Sequence, residues 1–151
     1  MARTLSVLGD RWTLLILRDC FLGVRRFDEF EERSGIARHV LATRLKKLTE
    51  AGILAKSIYQ ERPRREEYRL TQAGYDLYPV IVTLAQWGDR YLCDGKGPSM
   101  HRRHSACGQV LDAVLTCPQC DKPVSAHEIT LEVGPGAGTG FVLPLAKRRR
   151  S

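Results

Sequence analysis

The sequence has no long apolar run and no glycine-rich phosphate loop. Nowhere in its 151 residues does a hydrophobic stretch approach the roughly 20 residues that a membrane-spanning helix needs. The first residues also lack a signal-peptide pattern, so we expect a cytoplasmic protein. A nucleophile beside an obvious base is missing, as are paired carboxylates beside the cysteines and histidines, and we therefore expect no enzymatic activity.

Aromatic residues are scarce at 7%, but hydrophobic residues make up 43% of the chain and charged residues 27%, which is ordinary for a globular protein. Lysine and arginine number 24 against 17 aspartates and glutamates, so the net charge is +7. A charge of this size favours a polyanionic partner without identifying one. Five cysteines in a chain expected inside the cell indicate metal or thiol chemistry rather than a disulfide scaffold.

Hydrophobic periodicity predicts three helices in the first 35 residues. Residues 2–9 form a short one. Residues 12–21 are apolar around most of the circumference, with Asp10 as a candidate N-cap and Gly23 as the end. The stretch RRFDEFEERSG, residues 25–35, predicts a third helix that ends at its glycine.

The stretch GIARHVLATRLKKLTEAGIL, residues 35–54, predicts a fourth helix with two different faces. At about 100° per residue, its leucines share one face and its basic and polar residues lie opposite. Gly52 can end this helix in the left-handed conformation, whereas Ala37 offers no capping oxygen at its start. Two helices joined by a turn around RSGI predict a helix-turn-helix in which the second helix reads DNA. The alternative is an ordinary amphipathic surface helix.

A hairpin and a further helical region follow. LAKSIY, residues 54–59, and EEYRLT, residues 66–71, alternate apolar and polar side chains as two half-buried strands do. A helix-turn-helix followed by a basic hairpin is the winged-helix arrangement, so the predicted fold class is mainly α with a small β-hairpin. Thr71 can cap the next helix, which Pro79 should kink or divide in two. Its apolar stripe favours burial against a second subunit. The stripe comprises Leu77, Val80, Ile81, Leu84, Trp87 and Tyr91.

The motifs LGDRWTLLILRD, RRFDEF, VLATRLKKL and EYRLTQAG resemble the HxlR-type bacterial regulators, which are relatives of the MarR group. The resemblance covers about residues 3–92 and implies a homodimeric DNA-binding regulator paired through its first and last helices. We expect it to act, as a repressor more than an activator, on a near-palindromic operator of double-stranded DNA. Many members sense oxidants through a cysteine just before the first helix, and no counterpart precedes Ala2, so redox sensing is not carried over. Cys20 lies on the apolar face of its helix and is expected to be a core thiol.

The candidate DNA-binding residues lie on the fourth helix and on the hairpin loop. On the helix, Arg38 could bind a guanine edge, and His39 and Thr43 could each form a single hydrogen bond with a base. Ala42 could contact a thymine methyl group. Lys46 and Lys47 are expected to bind phosphates. On the loop, Arg62, Arg64 and Arg65 form either a DNA-contacting wing or a solvated turn that neighbouring glutamates neutralise.

A second candidate site lies in HSACGQVLDAVLTCPQC. His104, Cys107, Cys117 and Cys120 form two pairs with the same short spacing, which predicts a tetrahedral structural zinc site. Asp121 stands where such a turn commonly has glycine. His101 and His127 are rival fourth ligands, and the alternative to zinc is a set of exposed reduced thiols.

The predicted organisation has four parts. Residues 1–92 form the winged helix-turn-helix and dimerisation domain, 93–100 a linker, 101–133 the zinc-ribbon-like segment, and 134–151 a flexible basic tail. Two alternatives to a simple regulator stay open: a metal- or thiol-responsive sensor whose cysteine-rich segment controls DNA binding, and a protein-interaction module. A small-molecule effector is not identifiable from the sequence.

Overall fold

The computed structural model of the protein describes residues 1–95 and 97–137. It is mainly helical with one two-stranded antiparallel hairpin, as predicted. The elements, in chain order, are α1 (Ala2–Leu8), α2 (Arg11–Phe21), α3 (Phe27–Ser34), α4 (Arg38–Glu50), β1 (Leu54–Gln60), β2 (Arg65–Leu70), α5 (Gln72–Tyr75) and α6 (Tyr78–Tyr91). No helix within the described ranges combines the length and the hydropathy needed to cross a membrane.

The helix ends follow the local signals in the sequence. Asp10 caps α2, since its carboxylate accepts hydrogen bonds from the backbone N–H of Trp12 at 3.0 Å and of Thr13 at 3.4 Å. Gly35 has φ 63° at the end of α3. After α4, Gly52 has φ 69° and Ile53 N–H donates to the carbonyl of Leu48. These left-handed glycines turn the chain sharply and set the directions of α4 and β1.

The core of the first six elements is built around α4. Leu41 and Leu45 have no exposed surface and Leu48 has 1%, and they pack with Leu17 of α2 and Phe30 of α3. Replacing one such leucine by alanine costs about 2–5 kcal/mol of folding free energy. The apolar face of α4 is therefore fixed, and its opposite face must point to solvent.

The hairpin is hydrogen-bonded to the turn that precedes α3. β1 and β2 pair antiparallel, with Leu54 opposite Leu70 at the base and Gln60 opposite Arg65 near the tip. Tyr68 N–H donates to the carbonyl of Arg25 at 2.8 Å, so β2 has a backbone partner beyond β1. This bond holds the base of the hairpin beside the helix-turn-helix.

The region after the hairpin forms two helices, which confirms the predicted interruption. The Thr71 hydroxyl accepts a hydrogen bond from Gly74 N–H and caps the short α5, while Pro79 lies in the first turn of α6. The predicted apolar stripe is divided between core and surface. Ile81 is buried against the core, whereas four other members are 48–63% exposed in the single chain: Val80, Leu84, Trp87 and Tyr91.

The structure consists of two compact units, Met1–Ala113 and a second that begins at Val114. The boundary between them lies within the predicted segment 101–133. Side chains of α6 contact residues 102 and 113 of the first unit. The side-chain amide of Gln86 accepts from Ala113 N–H at 2.7 Å and donates to its carbonyl at 3.3 Å, and Arg102 binds Asp89 at 3.2 Å. Of the predicted tail 134–151, residues 138–151 lie outside the described residues.

Candidate nucleic-acid interface and cysteine-rich segment

The polar face of α4 is open to solvent. Of the six helix residues predicted to contact DNA, five are exposed and Lys47 is half-buried. The exposed five are Arg38, His39, Ala42, Thr43 and Lys46. The Thr43 hydroxyl donates to the carbonyl of His39 at 2.8 Å, so its oxygen lone pairs remain available as acceptors. This face can therefore approach a duplex without rearrangement of the core.

Arg38 is held by side chains of the preceding helix, α3. The sequence alone did not predict these contacts. The Arg38 guanidinium donates to Glu31 Oε2 at 2.7 Å, lies 3.9 Å from Asp28 Oδ1, and stacks 4.7 Å from the centre of the Phe27 ring. Its side chain is still 68% exposed. A bidentate contact with guanine would have to compete with this intramolecular pairing.

A second ion pair fixes α4 at its inner side. Arg44 Nη2 binds Asp10 Oδ2 at 3.0 Å, so the residue that caps α2 also holds the middle of α4. Asp10 was predicted only as a cap. Its two carboxylate oxygens give it the capacity for both roles, but Arg44 could not be identified as the partner without the packing of α2 against α4.

The three loop arginines are exposed but not equivalent. Arg64 donates to Glu66 Oε1 at 2.9 Å, and Lys56 binds the other oxygen of Glu66 at 2.9 Å. These two hydrogen bonds hold the pKa of Glu66 below its usual value, and the one from Lys56 has the larger effect. Arg62 and Arg65 form no ion pair with any described residue. No ion pair among the described residues therefore offsets the charges of these two arginines at the hairpin tip.

An unexpected acid lies inside the first unit. Asp19 has no exposed surface and binds Arg18 at 2.9 Å, with Arg33 at 4.0 Å. Cys20 is the next residue in the chain. Its burial, and to a smaller extent the negative charge of Asp19, raise the pKa of its thiol to about 12. Cys20 is therefore a protonated core thiol, in agreement with the sequence analysis, and a poor nucleophile.

The first cysteine turn spans His104–Gly108 in the first unit. Cys107 Sγ lies 3.4 Å from Nδ1 of His104, and Gly108 N–H donates to the carbonyl of His104 at 2.7 Å. Gly108 has φ 71°, a conformation that glycine adopts readily. A β-bridge between Arg103 and Val110 closes the turn. Both predicted ligand side chains thus lie together on one short loop.

The second cysteine turn lies in the second unit and has a similar backbone. Asp121 N–H donates to the backbone carbonyl of Cys117 at 2.9 Å, and Cys117 N–H donates to the backbone carbonyl of Lys122. A β-bridge joins Thr116 to Pro123. Hydrogen bonds from the backbone N–H groups of Gln119 and Cys120 lower the pKa of the Cys117 thiol, and the one from Gln119 has the larger effect. Asp121 has φ 55°, so it takes the left-handed position that glycine usually fills.

Within each unit, the described residues do not complete a metal site. No group of three or more histidine, cysteine, aspartate or glutamate side chains that could hold a metal ion is present in residues 1–95 and 97–137. The rival ligands His101 and His127 are exposed, and no hydrogen bond or ion pair links their side chains to other described residues. The donor chemistry of each turn still suits zinc, because each offers two borderline-soft ligands on a closed loop.

Comparison with known proteins identifies the family. Residues 7–96 match the HxlR-like helix-turn-helix family. An uncharacterized HTH-type transcriptional regulator of Mycobacterium tuberculosis is 46% identical over 136 residues, which is 90% of this chain and 86% of its own length. The HTH-type regulator YdeP of Bacillus subtilis is 33% identical over 89 residues, 58% of this chain and 70% of its own.

Solved structures give the same result. The crystal structure of PA1607, described as a proposed transcription factor, is similar with a TM-score of 0.78 at 33% identity over 87% of this chain and 92% of its own. The reduced form of the regulator YodB from Bacillus subtilis has a TM-score of 0.54 at 33% identity, over 63% of this chain and 94% of its own. The chain therefore belongs to the HxlR-like helix-turn-helix family, whose members are transcriptional regulators and not enzymes.

Proposed function

We propose that this protein is a sequence-specific repressor that binds a near-palindromic operator as a homodimer. The observation that supports this most directly is the two-sided character of α4. Its leucines are buried in the core, while Arg38, His39 and Lys46 are exposed on the outer side. A helix presented in this way fits the major groove, with its N-terminal residues nearest the base edges.

In this proposal the α4 residues divide between bases and backbone. Arg38, His39, Ala42 and Thr43 contact base edges, whereas Lys46 and Lys47 bind phosphates. The hairpin acts as a wing that contacts the backbone or the minor groove through its arginines. Arg62 and Arg65 contribute most there, because the charge of Arg64 is offset by Glu66.

The proposed homodimer is supported by apolar surface on α1 and α6. Leu5 of α1 is 56% exposed, and Trp87 and Tyr91 of α6 are 54% and 63% exposed. Large apolar side chains repeated along helices indicate an interface rather than a solvated surface. A dimer would place two α4 helices about 34–36 Å apart, one turn of DNA.

Fluorescence anisotropy can test the DNA-binding proposal. The labelled duplex would carry the DNA upstream of the protein's own gene, and the control duplex would have the same composition in scrambled order. We expect at least about 1,000-fold tighter binding to the upstream sequence at near-physiological salt, the lower end of the usual specificity range. Equal affinity for both duplexes at every salt concentration would contradict sequence-specific binding. Light scattering of the same sample would give a dimer mass if the interface proposal is correct.

A structural zinc ion held by His104, Cys107, Cys117 and Cys120 is a separate part of the proposal. Each pair lies on a short turn with a residue in the left-handed conformation, Gly108 or Asp121, which supports this assignment. Three thiolates and one imidazole would close the tetrahedral shell, so the zinc would stabilise the segment and bind no substrate. The match to the M. tuberculosis regulator spans 90% of this chain and therefore includes this segment.

Elemental analysis of reduced, purified protein tests the zinc site. We expect about one zinc per chain, a loss of most of it in Cys117→Ser, and no loss in Cys93→Ser. Cys93 is a suitable control because its thiol donates to the carbonyl of Gly88 and lies outside both turns. A Cys117→Ser variant that keeps all its zinc would contradict the ligand assignment.

The exposed thiols also favour a second candidate function, a metal- or thiol-responsive regulator. Cys107 and Cys120 are exposed, and the pKa of Cys117 is lowered, so these thiols can react with oxidants or exchange metal. This function requires that metal removal change DNA affinity far more than it changes the unfolding midpoint. Equal DNA affinity with and without metal would leave the zinc purely structural.

A further inference from the structure

The first unit contains an open cavity of about 510 Å³ between α2, α6 and residues 99–102. This volume lies in the range of small-molecule sites, roughly 300–1,000 Å³. Its walls are mostly apolar and include Leu14, Phe21, Ile81 and Leu84. The proposed DNA-binding role of α4 does not use this cavity.

Three arginines line the cavity, and each forms an ion pair with a carboxylate, although the three pairs differ in length. Arg18 binds the buried Asp19 at 2.9 Å, and Arg102 binds Asp89 at 3.2 Å. Arg33 is different. Its nearest carboxylate oxygen is 4.0 Å away on Asp19, its side chain is 51% exposed, and it donates no hydrogen bond to any described residue. The ion pair of Arg33 is thus the longest of the three, so its guanidinium can form hydrogen bonds with an anion that enters beside the apolar walls.

We propose that this cavity binds a small amphipathic carboxylate, with its apolar body against Leu14 and Ile81 and its carboxylate on Arg33. The charges support this choice, because three arginines face two carboxylates and one of these, Asp19, is fully buried. Arginine and carboxylate form paired hydrogen bonds of matching geometry. A neutral ligand would gain no charge-assisted hydrogen bond from Arg33, and an inorganic anion would not use the apolar walls.

The position of this site connects two functional elements. Arg33 belongs to α3, the first helix of the helix-turn-helix, whereas Ile81 and Leu84 belong to α6, the proposed dimer helix. A ligand that contacts both can change their relative stability and thereby regulate DNA binding. The binding step itself does not depend on the proposed function, so the test uses purified full-length protein without DNA.

Isothermal titration calorimetry with 4-phenylbutyrate and 4-phenylbutanol tests whether the ligand's carboxylate contributes to binding. The two probes share the same apolar group and differ in that one carries a carboxylate and the other a neutral hydroxyl. We expect the acid to bind about tenfold more tightly than the alcohol. Arg33→Gln should remove this preference, and Arg90→Gln should keep it, because Arg90 is an exposed α6 arginine that does not line the cavity. Equal binding of acid and alcohol, or an unchanged preference in Arg33→Gln, would overturn the proposal.

Gly88→Leu provides an independent test of the location. A Cβ built at Gly88 has no atom within 4 Å, so a leucine can enter the cavity without displacing the backbone. We expect this variant to lose binding of both probes while its thermal midpoint stays within a few degrees. Binding that persists in Gly88→Leu would place the probes elsewhere. Failure of the acid to bind the unmodified protein would also overturn the proposal.

Discussion

Arg44 donates a hydrogen bond of 3.0 Å to Asp10 Oδ2, although the two residues are 34 positions apart. The other oxygen of Asp10 caps α2. One partly exposed carboxylate therefore fixes the start of α2 and the middle of α4 together. The orientation of the proposed DNA-reading helix depends on this pair as well as on its buried leucines.

Removal of the Asp10 carboxylate should destabilise the protein. A lost N-cap costs about 1 kcal/mol and the lost hydrogen bond to Arg44 costs about as much again, so we expect about 2 kcal/mol for Asp10→Ala. Urea unfolding measures this change. Asp10→Asn keeps a capping oxygen and should lose only about half as much. Equal losses in the two variants would show that the cap contributes nothing.

Release of Arg38 from Glu31 should strengthen specific DNA binding. Glu31→Gln removes the charge that holds the guanidinium at 2.7 Å, so Arg38 can turn towards a base. Glu32→Gln is the matched control, since it removes the same charge from the same helix and forms no ion pair with Arg38.

Anisotropy titrations with operator DNA should show a larger gain for Glu31→Gln than for Glu32→Gln. Arg38→Ala should weaken operator binding by about 1–3 kcal/mol and relax the preference at one base pair. Equal gains in the two glutamine variants would mean that only net charge matters at this position.

The hairpin arginines should differ in their effect on the salt dependence of binding. Arg65 has no ion-pair partner among the described residues, so Arg65→Ala should lower the slope of log K against log salt by about 0.9. Arg64→Ala should lower it less, because Glu66 already offsets that charge. Binding constants measured from low to moderate salt give the slopes. Identical slopes in both variants and in the unmodified protein would remove the hairpin from the interface.

The start of α3 should contribute a pH-dependent part of the stability. The backbone N–H groups of Arg26 and Arg25 donate to the Glu29 carboxylate at 3.1 and 3.2 Å and hold its pKa below its ordinary value. A lowered folded-state pKa gives stability that is present above the ordinary value, near 4.5, and is lost as the pH falls.

Glu29→Gln tests this contribution, since glutamine can make the same capping contact without titrating. We expect its thermal midpoint to fall less steeply than that of the unmodified protein between about pH 5 and pH 3. Glu32→Gln is again the control and should keep the original slope. A parallel pH dependence in all three proteins would rule out the contribution of Glu29.

Local signals predicted most of the helix-turn-helix, and tertiary contacts account for what was missed. The cap at Asp10, the end of α4 at Gly52 and the hairpin depend on residues close together in sequence, so pattern and turn chemistry were sufficient. The pairing of Arg38 with Glu31 and the burial of Asp19 depend on which helix packs beside which.

The strained turn at Asp121 offers a direct measure of the proposed zinc site. With φ 55°, aspartate occupies a conformation that costs an ordinary residue roughly 1–2 kcal/mol and glycine almost nothing. If the turn is part of a metal site, this cost reduces zinc affinity, because the metal must hold the turn in place. Asp121→Gly should therefore bind zinc more tightly than Asp121→Ala by about tenfold in competition with a chromophoric chelator.

Asp112 is a matched control because it is exposed and lies outside both turns, so Asp112→Gly and Asp112→Ala should not differ in zinc affinity. Equal zinc affinity in the two Asp121 variants would show that this turn does not hold the metal.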